Sequence, residues 1–161
     1  MPIGIARLTN LRRLTKFIVG RGVDGSKACG IESLKSLGHL RELRIDGLVN
    51  VLDVGEAKRC QLDKKKNLLS LSLLFDEEEE EGRRKNEDDE PLLEALQPPQ
   101  YLQELVMVYC RGSTVSPNWM TSLTNLKNLT LTDRGVKKAR PERTRPGPGQ
   151  SGPGKTWTAC I

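Results

Sequence analysis

Apolar residues return along this chain in one short phrase. Leu40, Leu43 and Ile45 stand three and then two apart, and the same spacing recurs at Leu68/Leu71/Leu73, Leu102/Leu105/Met107 and Leu126/Leu129/Leu131. A looser copy opens the chain at Leu8, Leu11 and Leu14 and runs into Phe17-Ile18-Val19. The central residues of the five copies, Leu14, Leu43, Leu71, Leu105 and Leu129, are separated by 29, 28, 34 and 24 residues. In each phrase the last two apolar residues sit two apart, so on a strand they share one side and their neighbours face the other. A unit of this size cannot bury its apolar side alone. Stacked against its neighbours, it lines up a parallel sheet over one shared interior.

The spacing L-x-x-L-x-L and the step of about 20–29 residues predict an α/β fold. It is a leucine-rich-repeat solenoid with a short-strand parallel sheet, and short helices and loops on the convex side. Residues 1–133 form this domain. Two return segments read as helices. Asp53–Leu62 begins with a capping-box pair, Asp53 and Glu56, and carries Val54, Ala57 and Leu62 as its apolar trace. Glu90–Leu96 places Pro91 in a first turn and is stopped by Pro98-Pro99. The long step of 34 residues comes from a charge block at 76–90, Asp76-Glu-Glu-Glu-Glu-Glu81 followed by Arg83-Arg-Lys85 and more acids. Such a block buries no apolar area and is expected to loop out as an acidic insertion, solvated or serving as a dock for a basic partner. The repeat wants Asn or Cys three residues beyond the last strand residue, and Cys110 fills that place after Met107. At the next unit the place falls on Arg134, a poor occupant, so the fold is expected to end there and 134–161 to form a disordered basic Gly/Pro-rich tail.

Charge has to be located before it means anything. From Arg134 onward there are seven Lys/Arg and one acid, leaving 19 Lys/Arg against 20 Asp/Glu in residues 1–133. The body is therefore near neutral, and the net charge of +5 describes the tail. Nucleic-acid binding through that tail would read backbone charge alone, without sequence preference and with steep salt dependence. Aromatics are 4% of the chain, which leaves little for bases to stack on and calls for an aliphatic core. Cys29, Cys60, Cys110 and Cys160 are scattered with no Cys-x-x-Cys pair, so neither zinc spacing nor a disulfide framework is expected. No secretory signal or membrane-spanning run is visible, and a cytoplasmic location is expected.

Catalytic arrangements fail one by one. Gly149-Gln-Ser-Gly-Pro-Gly-Lys155-Thr156 matches the phosphate-loop pattern letter for letter, but that chemistry needs a core strand before the loop and a helix after it. The preceding Arg143-Thr-Arg-Pro-Gly-Pro148 cannot be such a strand, and five residues remain after Thr156. His39 is alone between Leu37 and Leu40, a turn residue or a packed one. The dense carboxylates lie in the insertion, where no fixed pair separation is held. Trp119 and Tyr109 read as packing residues or single contact points. No catalytic, cofactor or metal residue is nominated, and the chain is not expected to be an enzyme.

Several longer phrases give the chain a family likeness. They are Leu8-Thr-Asn-Leu-Arg-Arg-Leu-Thr-Lys-Phe-Ile-Val-Gly20, Leu48-Val-Asn-Val-Leu-Asp-Val-Gly-Glu-Ala-Lys58 and Leu68-Leu-Ser-Leu-Ser-Leu73. Leu93-Glu-Ala-Leu-Gln-Pro-Pro99, Pro117-Asn-Trp-Met120 and Leu123-Thr-Asn-Leu126 complete the set. In these the chain resembles the leucine-rich-repeat region of plant nucleotide-binding disease resistance proteins of the coiled-coil class, in order over residues 1–133. The resemblance implies intracellular immune sensing. Its protein partners would be a pathogen effector, a guarded host protein or the receptor's own nucleotide-binding domain. No residues match the coiled-coil or nucleotide-binding modules, so a fragment or truncated product, functional or not, is expected.

Alternation nominates a partner-binding stripe on the side away from the leucines: Glu42, Arg44 and Asp46; Ser70, Ser72 and Leu74; Glu104, Val106 and Val108; Asn128, Thr130 and Thr132. Both ends of the array are expected to be open, with Ile3 and Ile5 uncapped at one and Leu131 at the other. Each uncovered leucine forfeits about 1.5–3 kcal/mol of burial. Marginal stability and association through the ends follow as expectations.

Overall fold

A computed structural model describes residues 4–20, 30–51, 53–75, 89–110, 117–133 and 156–160. Five parallel strands follow one another in chain order: β1 (Arg13–Ile18), β2 (Glu42–Asp46), β3 (Ser70–Leu74), β4 (Glu104–Cys110) and β5 (Asn128–Asp133). Leu43, Leu71, Leu105 and Leu129 occupy one register column, and Ile45, Leu73, Met107 and Leu131 the next. Leu71, Leu73, Leu105 and Met107 are fully buried, while Leu129 and Leu131 are partly buried against the same core. Each repeat thus lays its two strand leucines directly on those of its neighbours. Full burial is worth about 1.5–3 kcal/mol per side chain.

The loose first copy joins the sheet with an irregularity. Leu14 pairs with Leu43 and Phe17 with Ile45, so β1 spends three steps where β2 spends two. The extra residue is a bulge, and it delivers Phe17 rather than an aliphatic residue into the core, fully buried. A shared turn precedes each strand. The carbonyls of Arg12, Arg41, Leu69 and Gln103 each accept two backbone N–H groups from the start of the next unit, at 2.6–3.2 Å. These bonds fix the register at the strand entrances before any side chain is considered.

Short helices close the other side of the core. α1 (Val54–Arg59) starts at Asp53, whose carboxylate accepts the Gly55 N–H at 2.8 Å, and α2 (Glu90–Ala95) carries proline in its first turn. Asp53 caps the second helical residue instead of the third, so it acts as a plain N-cap rather than as the expected capping box. The remaining returns are 3-10 turns such as Ile31–Ser36, Leu48–Asn50 and Asn118–Ser122. Gly47, with φ of +76°, sits against the Val19 carbonyl, where a Cβ would come within 3.2 Å, so both backbone conformation and space demand glycine. It lets Asn50 donate from Nδ2 to that carbonyl at 3.0 Å, tying the second unit to the first.

Three expectations are corrected. The tail was expected to lack structure throughout 134–161, yet Thr156–Cys160 forms β6, antiparallel to β5 with five paired positions. Thr and Trp favour extended backbone, and β5 would otherwise present an open row of N–H and C=O groups. The rest of the tail, 134–155 and 161, lies outside the described residues. The uncapped ends are corrected too. At the C-terminal edge β6 covers the strand, and at the other Ile5, in a 3-10 turn, is 5% exposed. Leu8 does stay open at 55%, and Ile3 lies outside the described residues. Of the acidic insertion, 76–88 also lies outside them. Asp89 is buried and Glu90 begins α2, so the insertion is shorter than 76–90.

A buried lysine completes the helical side. Lys65 is 2% exposed, and its Nζ donates to the carbonyls of Leu34 and Leu37, at 2.5 and 2.9 Å. Those carbonyls end the preceding unit's 3-10 turn and lie away from water. Burial pushes the ammonium's pKa down, with Cys60 opposing. Replacing it by methionine takes this donor from the Leu37 carbonyl, whereas Leu34 O still accepts the Leu37 N–H at 3.1 Å, and Lys65→Met is expected to cost about 1–3 kcal/mol in denaturant unfolding. An unchanged midpoint would show that the carbonyls do not need the lysine.

Nearby, the Cys60 thiol is fully buried and donates to the Ala57 carbonyl at 2.7 Å. Burial pushes its pKa up from 9.0 to about 11. The folded state therefore keeps a proton that the unfolded chain loses. That contribution is intact below pH 9 and lost as pH rises towards 11, to the extent of about 3 kcal/mol. Wild type should lose stability over this window relative to Cys60→Ala. Parallel pH profiles for the two would contradict it.

Candidate functional site

Alternation along four strands in common register produces three rows on the face opposite the leucines. Glu42, Ser70, Glu104 and Asn128 form the first, Arg44, Ser72, Val106 and Thr130 the second, and Asp46, Leu74, Val108 and Thr132 the third. Arg44, Glu104 and Asn128 are exposed and the other nine are half-buried. All twelve residues nominated from the sequence are therefore brought onto one surface.

This open face divides by chemistry. On β1 and β2 it is charged and internally paired: Arg13 meets Glu42 at 2.7 Å, and Asp46 accepts from Arg44 at 2.7 Å with Lys16 at 3.7 Å. The Asp46 hydrogen bond raises the Arg44 pKa further, against a smaller opposing effect of burial. Arg13 and Lys16 are more than half exposed, so these pairs contribute about 0.2–1 kcal/mol each and are readily exchanged for a partner's charges. On β3 to β5 the second and third rows are Ser, Leu, Val and Thr, neutral and partly apolar. A binding partner would meet a charged half and a neutral half side by side.

Sequence reasoning missed two parts of this surface. Arg13 and Lys16 belong to β1, whose loose phrase and bulge hid its register. An open cleft of about 330 Å³ also runs across the strand entrances, lined by Arg41, Glu42, Leu69, Ser70, Gln103, Glu104, Lys127 and Asn128. Ser70 Oγ donates to Glu104 at 2.8 Å inside it. Arg41, Leu69, Gln103 and Lys127 each occupy the first variable place of an L-x-x-L phrase, and that fixed place was the available signal.

Of the remaining candidates, Trp119 resolves as scaffold. Trp119 is 5% exposed and donates from Nε1 to the Leu93 carbonyl at 2.8 Å. Glu94 accepts from both the backbone N–H and Nδ2 of Asn118, at 2.5 and 2.9 Å. The phrases Leu93-Glu94 and Asn118-Trp119 are thus two halves of one joint between consecutive units. His39 is exposed in a turn. Thr156, the end of the phosphate-loop match, opens a strand where that chemistry wants a helix. Cys110 lies in β4, paired with Asp133. Among the described residues no group of three His, Cys, Asp or Glu is placed to hold a metal ion, and no helix is long and apolar enough to cross a membrane.

A comparison with curated proteins returned no match, and neither did one with solved structures. A family model described as R13L1/DRL21 LRRs matches residues 31–142, taking in β2 to β5, both α-helices and the joint at Trp119. With the leucine columns, the parallel sheet and that match together, the chain belongs to the R13L1/DRL21 family of leucine-rich repeats.

Proposed function

We propose that this chain is the protein-recognition part of a plant intracellular immune receptor, acting in the cytoplasm as a section of a leucine-rich-repeat solenoid. In this reading it belongs to a longer receptor of the coiled-coil, nucleotide-binding class. It senses a pathogen effector or a guarded host protein, or packs against the receptor's nucleotide-binding domain, and it performs no catalysis of its own. The observation that carries the reading is the open face, where three rows of outward side chains run in register across β2 to β5 within a family-matched stretch. Stacked repeats present such surfaces to protein partners, because the sheet supplies a rigid frame and the outward residues vary without disturbing the core.

Two charge-placing variants separate this face from the rest of the surface. Ser72→Glu combined with Val106→Glu alters the centre of the open face, and Lys58→Glu combined with Lys64→Glu alters the helical side. Proteins recovered on the tagged chain from plant leaf extract should fall at least about tenfold with the first pair and hold with the second, as expected for loss of a desolvated contact. Recovery of the same proteins by both would place recognition elsewhere. Labelled ATP should not be retained by the purified chain. Saturable retention would replace the recognition reading with a nucleotide-dependent one.

A further inference from the structure

The sheet changes character at its last strand. β1 to β5 are parallel, and the chain returns to the same side between them, as a repeating unit requires. β6 runs the other way, pairing Asn128 with Cys160, Thr130 with Thr158 and Thr132 with Thr156. Residues 156–160 also fall outside the family-matched stretch of 31–142. β6 is therefore no sixth repeat; it is a separate segment laid on the edge where a following repeat would pair.

An antiparallel return needs a loop of about two to five residues. Here 22 residues, 134–155, separate β5 from β6, nine of them glycine or proline. Fully extended they would reach about 75 Å, several times the spacing between neighbouring strands. A flexible connection of that length would set the local concentration of β6 at its own β5 on the order of millimolar. A second copy at comparable concentration competes on nearly equal terms, because the pairing it offers is identical.

We propose that the outer edge of β5 is a strand-acceptor site. Its resident is this chain's own Thr156–Cys160, and the same antiparallel pairing made between chains joins two copies into a strand-exchanged dimer. The ligand is an extended backbone, recognised through the ladder at Asn128–Thr132. The occupant in trans is β6 of the second copy.

The register supplies the test. Asn128 and Cys160 are directly paired, and antiparallel Cα separations of about 4.5–5.5 Å are compatible with a disulfide. The full chain carrying Asn128→Cys, with Cys29→Ser and Cys110→Ser to remove competing thiols, is oxidised at about 10 µM and about 1 mM, bracketing the local concentration. The expected result is a 128–160 bridge within one chain at the lower concentration. At the higher, a disulfide-linked dimer should rise at least about tenfold, joined by the same bridge between chains. Thr158→Pro with Ala159→Pro should abolish both products, because one of two adjacent amides must face β5 whatever the phase of the ladder. A bridge that stays within single chains at every concentration overturns the exchange. So does a dimer that survives the two prolines, and absence of the 128–160 bridge altogether overturns the acceptor site itself.

Discussion

Everything in this structure depends on keeping the leucine columns in register. A parallel strand pairs through evenly spaced backbone bonds that would tolerate a slip, but a slip of one residue would turn every leucine to the open face and every polar neighbour inward. Two devices forbid it. The carbonyls of Arg12, Arg41, Leu69 and Gln103 each anchor the start of the following strand. Behind them, Leu43, Leu71 and Leu105 have at most 2% of their surface in water. The insertion between β3 and α2 lengthens one repeat without disturbing β4, because both devices act at the strands and ask nothing of the length between them.

The helical side holds the units together by a different chemistry. Carbonyls on this side are met by side chains from the neighbouring unit at three places. Asn50 reaches Val19, Lys65 reaches Leu34 and Leu37, and Trp119 reaches Leu93. Stability is thus concentrated in the columns and these cross-links. The open face contributes little to it, since its ion pairs are solvated and its Ser, Val and Thr are half-buried. Those positions are free to answer to a partner.

The apolar phrase made the five strands, their order and the outward-facing rows legible, because a period of two on a strand and a repeated step leave one arrangement that buries the leucines. What it hid was local. Phe17 entered the core through a bulge that spacing did not announce. Asn50 does its work five residues beyond Ile45, not at the third, where the repeat pattern looks for a polar group. Lys65 sits in Asp63-Lys-Lys-Lys66, where composition points to solvent, and its burial is decided by carbonyls some 30 residues away in sequence. β6 was unreadable for a related reason: its pairing partner is an edge that exists once the array has formed.

The columns make β2, β3 and β4 one cooperative unit, so that a defect in one repeat is felt in both neighbours. Amide hydrogen exchange on wild type and Leu71→Ala measures this directly. The substitution removes a fully buried side chain from the middle of a column, a change that costs about 2–5 kcal/mol. Strand amides of Glu42–Asp46 and Glu104–Val108 should lose protection together with those of Ser70–Leu74. Loss confined to Ser70–Leu74, with its neighbours as protected as in wild type, would contradict it.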